Sequence, residues 1–387
     1  YAMQKEMGAI FGLNYGWEHP LWFTAEGEPD HETHGFTRQN WWAPVGREAR
    51  MLRERAGIID ISNFAKYRAN GPGAEAWLNS VFANRMPRET GRTCLTPLIG
   101  KRGGVAGDFT VTRLDRHEFL IVGSGMAERF HQRFFNAVPL PGDTIFESRT
   151  EALCGFAIAG PHARNILVRL TDEDLGDDAF PFMRSRRIEV AGVECVAIRL
   201  SFTGDLGWEM HCAQEDQTAL CSALIQAGRD FDAGPVGSRA LMSLRIEKGY
   251  GSWGRDFSPE YWPQESGLDR LVRTEKDFLN KDAWMRIAAN PPRERMTMLE
   301  VDAHEADASG GEPVFLPDGA PAGQVTSGAY GYSVGKSLAI AYLKAGLCAP
   351  GDTVHVAILG RPHTARVLGR PPFDPDGLRL RGHSSHA

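Results

Sequence analysis

The stretch Gly71-Pro72-Gly73-Ala74-Glu75-Ala76-Trp77-Leu78 returns later in the chain as Gly160-Pro161-His162-Ala163-Arg164-Asn165-Ile166-Leu167. Each copy follows a short apolar run and opens an amphipathic segment. Its Pro stands where a first helical turn tolerates a missing N–H. β-like segments follow each copy, at 107–114 and 118–122 after the first and at 187–202 after the second. Self-similarity of this kind marks a duplicated unit. The reading is an α+β body of two β-α-β-β modules of ferredoxin-like type, mixing helices with antiparallel sheet. Chance recurrence of a short pattern is the reading set against it.

Working outward, residues 11–23 are rich in aromatic residues and glycine and lack a clean period, which reads as an irregular arm running to about Asn40. A helix is expected over 45–55, ended by Gly57-Ile58-Ile59-Asp60, and a strand over 65–69. A break falls at Asn290-Pro291-Pro292-Arg293. Beyond it, runs such as 296–301 and 352–359 alternate between Gly and Pro punctuation, as in a small β-barrel. The expected organisation is an arm (1–40), a body holding the repeat (41–290), and a C-terminal β-barrel with a polar tail (291–387).

Composition narrows the function classes. A chain of 387 residues exceeds one ordinary core, and its 42% hydrophobic content is that of a soluble globular protein. A net charge of −6 gives no general electrostatic reason for nucleic acid or an anionic membrane as partner. Arg184-Ser185-Arg186-Arg187 reads as a solvated surface cluster. The six cysteines include no C-x-x-C pair, which argues against a disulfide framework or structural zinc and for buried thiols in a reducing compartment. The twelve histidines lack H-x-x-x-H spacing, so no metal is expected and most should be surface or capping residues. No apolar run reaches membrane-spanning length and the start is not a signal peptide, so the expected location is cytoplasmic. A first residue of Tyr with Met at position 3 reads as a tag remnant or a fragment of a longer chain.

Two short signals mislead by letter. The run 119–128 (FLIVGSGMAE) resembles strand, glycine turn, helix, but Glu128 stands where a dinucleotide fingerprint needs a small residue. Gly331-Tyr332-Ser333-Val334-Gly335 spells a nucleophile elbow, which requires a strand before it and a helix after it. The residues at 337–343 read instead as a strand, and a hydrolase with Asp352 and His355 or His363 remains only as an alternative.

Three segments carry a more coherent chemistry. Residues 103–111 (GGVAGDFTV) place Asp108 beside a glycine-rich bend leading into a strand. Residues 201–210 (SFTGDLGWEM) place Asp205, Glu209 and two aromatics around a turn. Residues 237–250 (GSRALMSLRIEKGY) form a helix with a glycine stop. Taken singly, each acid reads as a turn or cap residue.

Together these segments resemble the aminomethyltransferase (glycine cleavage T-protein) family. The resemblance runs over nearly the whole chain and is nearest to the folate-binding C-terminal half of dimethylglycine dehydrogenase, dimethylglycine oxidase and sarcosine dehydrogenase. It also includes Gly57–Ser62, Leu95-Thr96-Pro97, Asp277–Lys281, Gly323–Gly328 and Tyr330-Gly331-Tyr332. It implies a central site for tetrahydrofolate as cofactor. Glu209 matches the acid that accepts a paired hydrogen bond from the pterin, and Arg239 matches a cation near the folate. Asp108 matches the catalytic acid facing the reacting nitrogens, where it can take a proton and stabilise a cationic iminium. Phe202 and Tyr332 match folate-lining positions. Three departures stand out: Phe202 where Tyr is usual, Asp205 for Glu, and Gly100 for Asn.

The implied activity moves a methylene unit from an oxidised N-methyl amine to tetrahydrofolate, giving 5,10-methylenetetrahydrofolate. The oxidation would fall to a flavin oxidoreductase, in a partner chain or a missing N-terminal domain. Alternatives are direct demethylation of a sulfonium, quaternary amine or aryl ether, and a folate-binding regulator without catalysis.

Overall fold

A computed structural model describes residues 1–14, 16–347 and 349–382. The chain opens with α1 (Ala2–Glu6) and an antiparallel hairpin of β1 (Ala9–Asn14) and β2 (Trp17–Phe23). This corrects the irregular arm expected there. Aromatic residues on both faces of β2 hide the alternation that buries Pro20 and Trp22. After the hairpin, residues 24–40 run across to the C-terminal domain. Arg38 holds them there: its Nε and Nη2 donate to Asp307 at 2.9 and 2.8 Å, and its guanidinium lies over Trp42 and Tyr330. Next come α2 (Trp42–Glu54) and β3 (Gly57–Asp60). Gly57–Asp60 is thus a strand of a sheet and not only the end of a helix.

The first module comprises β4 (Ala65–Asn70), α3 (Ala74–Val81), β5 (Thr93–Ile99), β6 (Val105–Asp115), β7 (Glu118–Gly123), α4 (Glu128–Phe135) and β8 (Ile145–Ser148). The second comprises β9 (Leu153–Ala159), α5 (Ala163–Leu167), β10 (Ser185–Val190), β11 (Val193–Ile198), β12 (Gly207–Ala213), α6 (Gln217–Gly228) and the short β13 (Gly234–Pro235). Strand order is β5-β6-β7-β4-β8 in one sheet and β10-β11-β12-β9-β3-β13 in the other. The first four strands of the two sheets correspond in order, so the repeat is a duplication, and each copy is longer than β-α-β-β by two strands and a helix. The run 187–202 is broken by Ala191 and Gly192, both at positive φ, into the β10–β11 hairpin. The repeated motif explains itself sterically. Gly71 and Gly160 have φ of +131° and +125°, and a Cβ would stand 2.0 Å from the Asp143 oxygen or 2.4 Å from the Leu52 oxygen.

Each sheet buries one face under its own helices. Phe109, Val111, Phe119 and Ile121 pack with Trp77 and Phe135, and Phe156, Trp208 and Met210 pack with Ile166 and Leu224. The opposite faces look toward each other, closed in part by Leu120, Val122 and Ile198. Beyond the modules come α7 (Ser238–Glu247), α8 (Pro263–Ser266) and α9 (Lys281–Ala288). The expected barrel follows as a closed six-stranded one, β14 (Glu294–Val301), β15 (Pro313–Phe315), β16 (Pro321–Gly331), β17 (Lys336–Lys344), β18 (Thr353–Ile358) and β19 (Arg361–Leu368). Residues 331–335 are the turn between β16 and β17, with no helix after Ser333, which excludes the nucleophile elbow. The segment 371–382 is not a free polar tail. Asp374 pairs with Lys248 at 2.7 Å, and Arg379 with Asp205 at 2.8 Å.

Four cysteines, 154, 195, 212 and 221, are buried as expected, and Cys94 is half-buried, while Cys348 lies outside the described residues. Among the described residues no helix is long and apolar enough to cross a membrane. Among the described histidines only His131 and His211 are buried, and the others are half-buried or exposed, in keeping with the expectation for most of them. Arg184, Arg186 and Arg187 each pair with a surface acid, in keeping with a solvated cluster.

The hairpin, α2 and the start of α7 meet at Glu48, which is buried. One carboxylate oxygen accepts from the Phe23 N–H at 2.6 Å, the other from the Gly237 N–H at 2.7 Å. Glu48→Gln turns one acceptor into a donor facing a donor. The expected cost is about 1–3 kcal/mol, read as a lowered thermal-unfolding midpoint; an unchanged midpoint would show that the two N–H groups find other partners.

Candidate active site

Strand alternation aims the two principal acids. On β6, Phe109 and Val111 enter the first module's core while Asp108 and Thr110 take the opposite face. On β12, Trp208, Met210 and Cys212 enter the second core, which leaves Glu209 and His211 on the other side. Both acids therefore face the space between the sheets. A cavity of about 1590 Å³ opens there, and Asp108, Phe202, Glu209, Arg239 and Tyr332 all line it. Residues far apart in sequence are brought together because two copies of one module present equivalent faces to a common centre.

Asp108 stands opposite Pro97 of β5, with no cation paired to it among the described residues. Burial without a compensating charge pushes its carboxyl up to about 6. It is ionised at neutral pH yet easily protonated, which suits a group that must take up a proton or meet developing positive charge. Glu209 lies between Ala157 of β9 and Ile198 of β11, and its side chain is 15% exposed. Neither neighbour competes for its oxygens.

Arg239, in the first turn of α7, has its guanidinium 4.9 Å from the centroids of both Trp22 and Trp41. Its Nη2 donates to Glu32 of the arm at 2.5 Å, while Nη1 is buried with no partner among the described residues. Phe202 stacks on Tyr250, ring centroids 6.2 Å apart and planes at 20°. Tyr332 is less free. Its hydroxyl donates to the Trp42 carbonyl at 2.8 Å, so only its ring is available to a ligand.

Some lining residues escape a reading by sequence. Glu32 lies in a segment with no period, and nothing local links it to Arg239. Trp253 and Tyr250 occupy the turn after α7. His211 does not line the cavity but was within reach, since alternation on β12 places it on the same face as Glu209. The run 119–128 is a strand, turn and helix as spelled, but its strand lies in an antiparallel sheet. A Cβ on Gly125 would stand 1.8 Å from the Asn63 oxygen, so that turn is fixed by packing. The described residues hold no group of three or more His, Cys, Asp or Glu able to bind a metal ion.

The contents fit a reduced pterin. The cavity offers a carboxylate for an aminopyrimidine edge, a stacked aromatic pair, and an arginine with an unpartnered buried N–H.

Comparisons with known proteins place the chain in a family and establish its fold. A family model described as the GCVT N-terminal domain matches residues 1–276, and one described as the glycine cleavage T-protein C-terminal barrel domain matches 294–374. Mitochondrial dimethylglycine dehydrogenase of Mus musculus is 34% identical over 96% of this chain, which spans only 43% of that protein. The chain thus covers less than half the length of such relatives. Aminomethyltransferase of Symbiobacterium thermophilum is 28% identical, with 96% of this chain and 95% of that protein aligned. The crystal structure of glycine cleavage system aminomethyltransferase T from Bartonella henselae superimposes with a TM-score of 0.84 at 22% identity, covering 97% of both chains, which establishes the shared fold.

Proposed function

Because the chain belongs to the aminomethyltransferase (glycine cleavage T-protein) family, we propose that it transfers a one-carbon unit from an oxidised N-methyl amine to tetrahydrofolate, yielding 5,10-methylenetetrahydrofolate. The observation that carries this reading is the convergence of Asp108 and Glu209, one from each module, on one cavity. Tetrahydrofolate supplies the amine nitrogens that accept the carbon. Glu209 holds the pterin by accepting a pair of hydrogen bonds, and Phe202 packs against the ring system beside Tyr250. Arg239 offers its free Nη1 to an oxygen of the folate. Asp108, ionised near neutral pH, takes a proton from the accepting amine and balances positive charge on the incoming carbon, while the demethylated amine departs with the electron pair of its broken C–N bond and a proton.

The amine reading rests on similarity to dimethylglycine and sarcosine dehydrogenases, which are longer than this chain. A flavin oxidoreductase, on a partner chain or a further domain, would produce the oxidised donor.

Glu209→Ala is expected to remove charge-assisted bonds worth roughly 1.5–3 kcal/mol and to weaken folate binding about ten- to hundred-fold. Calorimetry on the folded variant checks this, and unchanged affinity removes Glu209 from the site. Mass identification of the folate product from a panel of methylated donors tests the reaction. Methylene-folate supports the proposal, methyl-folate supports direct demethylation, and no product from any donor supports the regulator.

A further inference from the structure

His211 follows Glu209 by two residues on β12, so both side chains leave the same face of the strand. The ring is 2% exposed, and neither nitrogen has a hydrogen-bond partner among the described residues. A buried imidazole left this way costs stability unless its position serves something. The carboxylate near it is Glu209, whose Oε2 lies 3.7 Å from Nε2, just beyond a direct hydrogen bond. Room for the ring is provided on the far side by Gly155 of β9, where a Cβ would stand 3.0 Å from Nδ1 and 3.1 Å from Ile61. Burial, and the nearby charge of Lys66, push the imidazole's pKa below its ordinary value. The ring is therefore neutral at neutral pH, with a single N–H to place.

We infer that His211 is a positioning residue for Glu209, its Nε2–H directed at the carboxylate so that the remaining acceptor sites stay aimed at the bound pterin. The inference rests on the folate reading of Glu209. On that reading, the other nitrogen, Nδ1, faces the Gly155 backbone as a bare acceptor, the cheaper of the two groups to leave unpaired. A neutral donor behind the carboxylate fixes its orientation without cancelling the charge that the pterin needs.

The test is a set of calorimetric titrations with 5-formyltetrahydrofolate, paired with melting curves of the ligand-free variants. His211→Leu should weaken binding roughly ten-fold without lowering the melting temperature, and His211→Gln, which restores an N–H near the Nε2 position, should recover most of the loss. In a Glu209→Gln background, His211→Leu should change affinity less than about three-fold, since its partner is already altered. Gly155→Ala, which crowds the ring without touching Glu209, should weaken binding several-fold in the native background only, and it carries the test if His211→Leu fails to fold. A lowered melting temperature with unchanged affinity, or an equal loss in both backgrounds, overturns the inference and leaves the folate reading standing. Unchanged affinity in Glu209→Gln alone overturns both.

Discussion

Asp108→Asn is expected to lower single-turnover transfer by about a hundred-fold or more while folate binds within a few-fold of the native protein. The variant is nearly isosteric and keeps a hydrogen-bonding amide, so ground-state contacts survive. What it loses is a charge and a proton acceptor, which matter most where positive charge develops. The carboxyl is pushed up to about 6 by burial, so the rate of the native protein should rise as pH increases through about 6 and then level off. The sign follows from the role: the ionised form is the active one, and it is the form populated above the folded pKa. In Asp108→Asn that rising limb should vanish along with most of the rate. If Asp108 served only the local packing of β6, the substitution would lower the melting temperature and leave both rate and pH profile intact. A stable variant with normal single-turnover chemistry and an unaltered pH profile would end the catalytic assignment.

Asp256→Ala should be the most destabilising single change in the region that joins the body to the barrel. Asp256 and Arg245 are both fully buried and paired at 2.6 Å. The second carboxylate oxygen accepts from Thr326 and Ser327 of β16 at 2.5 and 2.6 Å, and the Asp256 carbonyl accepts from the Tyr342 hydroxyl of β17 at 2.8 Å. Removing the acid leaves a buried arginine unpaired, a change that costs about 3–5 kcal/mol. It also strips the Ser327 hydroxyl of its acceptor and leaves Thr326 only the Ile340 carbonyl, at 3.2 Å. Because Arg245, Trp253 and Thr326 all line the cavity, folate affinity should fall together with the melting temperature. The comparison that isolates the cause is the Arg245→Met/Asp256→Ala double variant, in which no charge is stranded. It should melt at a higher temperature than Asp256→Ala alone. Equal melting temperatures for the two would show that the stranded guanidinium is not what destabilises.

How much of this was legible beforehand depends on the range of the interaction that fixes each feature. The duplicated modules were visible because the Gly-Pro turn recurs as a contiguous pattern, although the oxygens that exclude a Cβ at Gly71 and Gly160, those of Asp143 and Leu52, lie far away in the chain. The barrel was visible for a similar reason, since alternation and glycine punctuation are properties of neighbouring residues. Asp108, Glu209 and Arg239 were marked by the segments around them. Their convergence could only be inferred from the resemblance to a family.

The misread features share a different character. The N-terminal hairpin carries aromatic residues on both faces, so its period disappears until its partners are known. Gly57–Asp60 looked like the end of a helix because the strands that flank it, β9 and β13, come from residues far along the chain. The segment 371–382 looked free because Lys248 and Asp205, which hold it, lie in the body.

By itself, then, the sequence determined the repeat, the mixed class of its modules and the barrel, which follow from contiguous pattern and period, while the acids were singled out by the resemblance to a family. Tertiary structure alone decided that Asp108 stands without a cation among the described residues and is pushed up to about 6, and that Glu32 occupies one side of Arg239. It also decided that His211 lies buried behind Glu209. Desolvation and charge pairing depend on what surrounds a group in space, and those surroundings are assembled from elements the chain brings together only when it folds.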